Sequence, residues 1–167
     1  MLIDLDYLER LEKIETRPWS GTAYRHMFGS HEPDRINTTG ARWNPDGLGA
    51  IYCSLSESGA LAEADYYIGL QPIPPACSRT LYTVEVVLEK VACATDWLLL
   101  EEAGIKQATF STMNYLPTQR FGLGLSRLGC DGFLIPSARS DATNLVILPD
   151  TQGANYQFRV SNKVPVA

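Results

Sequence analysis

Residues 39–63 read TGARWNPDGLGAIYCSLSESGALAE. A turn-rich loop, a short apolar strand and a helix follow one another there with no linker between them. Gly40 and the run Asn44-Pro45-Asp46-Gly47 are turn formers. Residues 49–54, GAIYCS, are short and apolar and carry Ile and Tyr, which predicts a strand. Ser56 is placed to cap the next segment, in which Ala60, Leu61, Ala64, Tyr67 and Ile68 recur near helical spacing. Glu63 then falls in the second turn of a helix that leaves the strand directly. Tyr52 on the strand and Glu63 on the helix can face one cavity beside the strand's end, and Arg42 can reach it from the loop. The plainer alternative is a surface ion pair with a core tyrosine beside it.

The rest of the chain supplies support for this unit. Residues 3–16 form an amphipathic pattern that predicts a helix, ended by Pro18-Trp19-Ser20-Gly21. Residues 22–28 read as a strand with Tyr24 and Arg25 on opposite faces. Residues 80–88, TLYTVEVVL, are the clearest strand signal; Thr83, Glu85 and Val87 make one of its faces partly wet. A separate short strand is expected at 91–94. Helices are expected at 96–103, ending at Gly104, and at 117–128, closed by Gly129, with further strands at 131–135, 143–148 and 156–160. Between two of these strands, residues 136–139 form a polar turn. Ser137, Arg139 and Asn144 there bring a hydroxyl, a guanidinium and an amide to strand ends, where sites are often built.

A chain of 167 residues with no internal repeat suits one domain. The reading assigns an N-terminal helical segment to 1–19, the main globular body to 20–160 and a tail to 161–167. A net charge of -5 without any basic run argues against direct nucleic-acid binding. The N-terminal MLIDLDYLERLEKIE lacks the apolar core of a signal peptide, and no stretch is long enough to span a membrane, so a cytoplasmic protein is expected. Cys53, Cys77, Cys93 and Cys130 form no Cys-x-x-Cys pair and are expected to be buried, reduced thiols. With His26 and His31 the only histidines, no metal site is expected. His31-Glu32 begins like a zinc-protease helix, but the second histidine position holds Arg35 and Pro33 breaks the helix. Gly122-Leu-Gly124 resembles a dinucleotide loop with Arg127 at the third glycine; a small-residue helix contact is the better reading.

One order of motifs is more specific than any of its parts: Tyr24-Arg25, Gly40-Ala41-Arg42-Trp43-Asn44, Ile51-Tyr52-Cys53-Ser54, Ala60-Leu61-Ala62-Glu63, Pro136-Ser137-Ala138-Arg139 and Asn144-Leu145-Val146-Ile147. In this order the chain resembles the RES domain family over about residues 20–160. The departure at Ala41, where the family commonly has glycine, is small. The resemblance implies an α+β fold of ADP-ribosyltransferase type, with a mixed or antiparallel β core flanked by helices. It implies a bacterial toxin that consumes NAD+ as substrate, and an Xre-like helix-turn-helix antitoxin as partner. It maps catalytic roles onto Arg42, Tyr52, Glu63 and Ser137, and dinucleotide binding onto Arg25, Arg42, Trp43, Asn44, Tyr52, Ser137, Arg139 and Asn144.

The chemistry of these residue types suits that implication. Breaking the nicotinamide–ribose bond develops oxocarbenium character, which a fixed carboxylate such as Glu63 stabilises. The Tyr52 ring can stack on nicotinamide, with Trp43 shaping the wall. Guanidinium groups match diphosphate oxygens. The acceptor of ADP-ribose is a protein side chain in the first reading, or water or phosphate in the alternative. A binding module that has lost turnover is the rival from another class.

Overall fold

In the computed structural model, which describes all 167 residues, one strand organises the rest. Strand β3 (Arg79–Cys93) is 15 residues long and buries Val84, Val86 and Leu88 on one face, the period of two that any strand imposes on its side chains. Thr83, Glu85 and Val87 on its other face are half-buried, as the sequence pattern required. Strand β1 (Thr16–Phe28) lies antiparallel along one edge of β3, from Thr16 opposite Ala92 to Phe28 opposite Arg79.

The other edge of β3 is shared. Strand β6 (Gln157–Pro165) covers it antiparallel up to Val87, and β4 (Gly132–Pro136) takes over in parallel from Val91. At the changeover the N–H groups of Glu89 and Lys90 both donate to Asp131 Oδ2, at 2.8 and 2.9 Å. That buried carboxylate satisfies the donors that neither partner strand reaches. Strand β5 (Thr143–Ile147) pairs antiparallel with β4, β2 (Ile51–Ser54) with β5, and Tyr24 of β1 with Ser54 of β2. The order β1-β2-β5-β4-β3 therefore closes back on β1, with β6 added outside the ring.

Alternation across this closed sheet separates two cores. Ile51, Cys53, Leu134, Leu145 and Ile147 point to one side with Val84, Val86 and Leu88. Phe133, Ile135 and Val146 point to the other, onto helices α1 (Leu5–Glu12), α3 (Trp97–Glu102) and α4 (Leu116–Arg127). Helix α2 (Glu57–Gly69) follows β2 as expected. Positive φ values of 88° at Gly104 and 75° at Gly129 mark the ends of α3 and α4.

Four expectations change. Pro18-Trp19-Ser20-Gly21 does not end a helix; α1 stops at Glu12, and β1 runs through Pro18 by way of a register shift between Arg17 and Trp19. Such an irregularity tolerates a proline that has no N–H for the ladder. The expected strand at 91–94 is the continuation of β3, because the Asp131 carboxylate carries the backbone through exposed Glu89 and Lys90. Residues 161–165 belong to β6 rather than to a tail. Of the cysteines, Cys53 and Cys130 are buried, whereas Cys93 is half-buried and Cys77 exposed, although all four are free thiols. Gly122 and Gly124 do serve a helix contact: a Cβ on Gly122 would stand 1.9 Å from the Trp43 carbonyl oxygen, and one on Gly124 2.4 Å from Leu11 Cδ1.

Candidate active site

The Ser56 hydroxyl caps α2 by accepting from the Gly59 N–H at 3.0 Å. No side chain separates Gly59 from the end of β2; a Cβ there would lie 2.2 Å from Ser54 Oγ. The helix therefore starts hard against the strand, and its second turn carries Glu63 over the ends of β4 and β5. There Ser137 Oγ donates to Glu63 Oε1 at 2.7 Å and Asn144 Nδ2 donates to the same oxygen at 3.1 Å. A carboxylate only accepts, so it fixes which way the Asn144 amide points. Ser137 Oγ also accepts from the Arg139 N–H at 3.1 Å, a local turn that sets its rotamer. Both bonds fall on Oε1, and Oε2 has no protein donor.

The Arg42 loop is clamped from two sides. From α4, Thr118 Oγ1 donates to the Arg42 carbonyl, Gln119 Nε2 donates to the Ala41 carbonyl at 2.9 Å, and Gly122 lets the Trp43 carbonyl approach. From β2, the Tyr52 hydroxyl donates to Asn44 Oδ1 at 2.6 Å and accepts from the Trp43 N–H at 3.0 Å. Burial raises the Tyr52 phenol well above its ordinary value, so it remains a donor at any physiological pH. Asn44, fully buried, spends its amide N–H groups on the carbonyls of Leu48 at 2.7 Å and Asn37 at 3.2 Å. Trp43 packs edge-on into Phe121 and Phe133, with ring centres 5.7 and 5.6 Å apart.

Arg42 is itself buried. Its Nη1 donates to the carbonyls of Phe110, at 2.5 Å, and Thr112, at 3.2 Å, while Nη2 has no partner. Its guanidinium carbon lies 4.7 Å from the Tyr115 ring centre. Arg139 stacks 3.4 Å over Tyr66 and donates through Nη1 to the Ser111 carbonyl at 3.2 Å; its Nε and Nη2 are unpartnered. Arg25 spends Nη1 and Nη2 on the carbonyls of Pro33 and Arg35, each at 2.8 Å, and burial lowers its pKa. The chain makes two ion pairs, Arg79–Asp65 and Arg120–Asp4. None of these three arginines has a carboxylate partner.

A cleft of about 530 Å³ runs between α2, β1, β2 and the Arg42 loop. The family model for the RES domain matches residues 10–166. The chain belongs to the RES domain family. Its fold is similar to the toxin chain in the crystal structure of the M. tuberculosis MbcT–MbcA toxin–antitoxin complex. The TM-score is 0.85 and the identity 21%, over 98% of this chain and 93% of that one. A search of curated proteins found no match.

On this RES domain the sequence-derived site residues divide. Arg25, Arg42, Trp43, Tyr52, Glu63 and Asn144 line the cleft. Ser137 and Arg139 are outside its lining; the Ser137 hydroxyl holds Glu63, and the Arg139 guanidinium holds the Ser111 carbonyl. Asn44, expected at the dinucleotide, stands outside the cleft lining, and its fully buried side chain is an internal strut of the loop. Tyr24, Tyr67, Met113 and Tyr115 also line the cleft and were missed. Tyr67 had a signal, since it lies one helical turn after Glu63 on the same face; burial and the neighbouring Tyr115 push its phenol up to about 12. Tyr115 had none, since only the tertiary fold brings it under Arg42.

Proposed function

We propose that this RES-domain protein is the toxin of a toxin–antitoxin pair and that it consumes NAD+ in this cleft. The carrying observation is the pairing of one fixed carboxylate with arginines that have no counter-ion. Glu63 is held by two donors through Oε1, so Oε2 remains for a ribose hydroxyl and for the positive charge that develops as nicotinamide departs. Arg42 and Arg139, with three unpartnered buried nitrogens between them, suit the diphosphate, since buried charge demands an opposite charge. The cleft volume lies within the range of small-molecule sites, about 300–1,000 Å³.

In this reading the nicotinamide–ribose bond breaks with its electron pair leaving on nicotinamide. Glu63 stabilises the sugar cation, and an acceptor nucleophile captures ADP-ribose. A protein side chain is the proposed acceptor, giving mono-ADP-ribosylation; water or phosphate would instead make a depleting enzyme. The Arg-rich cleft on an acidic chain also suits a partner that places a carboxylate there. An Xre-like antitoxin doing so would compete with NAD+ in the cytoplasm, consistent with a chain in which no helix is long and apolar enough to cross a membrane. Incubating the purified protein with NAD+ and measuring nicotinamide release tests the activity, and mass spectrometry of the ADP-ribose product identifies the acceptor. A folded protein that releases no nicotinamide, with or without candidate acceptors, refutes the reading.

A further inference from the structure

Arg42 and Arg139 converge on one short stretch of chain. Arg42 takes the carbonyls of Phe110 and Thr112, and Arg139 takes the carbonyl of Ser111 between them. Three consecutive carbonyl oxygens thus face two guanidinium groups, the arrangement that a diphosphate's oxygens would make. Three further nitrogens of the pair, Arg42 Nη2 and Arg139 Nε and Nη2, are sealed from solvent without an acceptor. Two guanidinium groups with no carboxylate partner thus share one cover of neutral dipoles.

The covering segment is built to leave. Residues 111–114 are exposed in an unbroken run, although they touch the most buried cation of the cleft. Their backbone bonds are local, such as Thr112 N–H to the Thr109 carbonyl at 3.1 Å. The hydrogen bonds that tie residues 110–114 to distant parts of the protein are those from the two arginines, and Tyr115 beyond them meets the Tyr67 hydroxyl. Phe110 is a fixed end, buried between Trp43 and Trp97 at ring-centre distances of 5.9 and 4.9 Å. The other end is the first turn of α4, which Thr118 fastens to the Arg42 carbonyl.

We propose that Arg42 and Arg139 form one diphosphate-binding site whose cover, residues 111–115, is exchanged for the ligand: phosphate oxygens displace the carbonyls of Ser111 and Thr112, and the strap lifts about Phe110 and the start of α4. This rests on the NAD+ reading for the identity of the nucleotide, but not for the anion site itself.

Limited chymotrypsin digestion of the full chain reads the strap directly. Tyr115 and Leu116 are cleavage points there, and cleavage of a segment that opens and closes rapidly tracks its open population. Inorganic pyrophosphate and ADP-ribose are the probes, with nicotinamide as a control that has no diphosphate, and calorimetry records binding of each. The expected result is cleavage at residues 110–116 about tenfold faster with either diphosphate and unchanged with nicotinamide. Arg139→Gln should open the strap without any ligand and abolish the response to pyrophosphate. Acceleration by pyrophosphate without binding of ADP-ribose would keep the anion site and defeat the NAD+ reading. ADP-ribose that binds while cleavage stays constant or slows would overturn the exchange and leave the NAD+ reading standing. A strap that responds to neither compound, with neither bound, would overturn the anion site.

Discussion

Removing one oxygen from Tyr52 tests how the Arg42 loop is held. In Tyr52→Phe the ring stays on β2, but Asn44 Oδ1 loses its donor at 2.6 Å and the Trp43 N–H loses its acceptor at 3.0 Å. Asn44 is fully buried and Trp43 is 2% exposed, so water does not readily replace the hydroxyl. Leaving a buried polar group unsatisfied costs about 1–3 kcal/mol, so two such groups sharing one deleted partner should cost about 2–4 kcal/mol in all. For a domain of this size that lowers Tm by about 5–15 °C. Urea unfolding of wild type, Tyr52→Phe, Asn44→Ala and the double variant forms a cycle in which the two sites should couple by about 1–2 kcal/mol. Nicotinamide release should fall in Tyr52→Phe nearly as far as in Tyr52→Ala, because Arg42 is displaced in both. Stability within about 0.5 kcal/mol of wild type, with additive effects at residues 52 and 44, would refute the bridging role. Activity kept in Tyr52→Phe and lost in Tyr52→Ala would return the function of this residue to its ring, as the sequence alone suggested.

Glu63→Ala should fold normally yet lose about 100- to 1000-fold in nicotinamide release, the usual cost of removing an electrostatic stabiliser; near-normal turnover would remove Glu63 from the mechanism. Gly122→Ala should destabilise by about 1–3 kcal/mol in urea unfolding, because its Cβ meets a backbone oxygen, whereas Gly124→Ala should cost less, because Leu11 Cδ1 can rotate away. His26 Nε2 accepts from Arg79 Nε at 3.0 Å, and burial lowers its pKa below the ordinary 6.5. Above pH 6.5 both folded and unfolded chains are neutral there and stability is complete; as pH falls below that value the unfolded chain takes the proton first and stability is lost. His26→Gln should flatten that part of the stability–pH curve.

How much of this was legible depended on the distance over which each signal acts. The unit from Arg42 to Glu63 was readable because turn formers, a strand and a capped helix are local, and Glu63 landed where its helical position put it. Its two donors lie 74 and 81 residues away, at Ser137 and Asn144. They stood out as polar groups at strand ends, and only the order of motifs joined them to Glu63, a contact that periodicity does not report. Strand β1 was shortened in the reading because Pro18 and Gly21 are strong local breakers, and only pairing with β3 across its whole length overrides them. Strand β3 was cut at Glu89 and Lys90 for the same reason, since the Asp131 carboxylate that sustains it lies 42 residues ahead. The covering segment at 111–115 carries no pattern at all. Its position follows from two arginines, each fixed by a different part of the fold.

In the proposed reading those arginines also decide which ligand is preferred. The chain has 19 acidic residues, so a carboxylate partner for Arg42 or Arg139 was not beyond its composition, yet neither arginine has one. The fold stabilises them instead with the ring faces of Tyr115 and Tyr66, each worth about 0.5–2 kcal/mol, and with carbonyls, about 1.5–3 kcal/mol per bond to a charged group. A carboxylate in those places would form a closed pair that an incoming diphosphate would have to break at the cost of exposing an unpaired charge. A neutral carbonyl that leaves exposes only a dipole to water, in a segment already mostly exposed. In the proposed reading Arg42 and Arg139 thus stay buried and ordered without a ligand and exchange their carbonyls for the oxygens of one, while Glu63, bound through a single oxygen, stays available to the sugar.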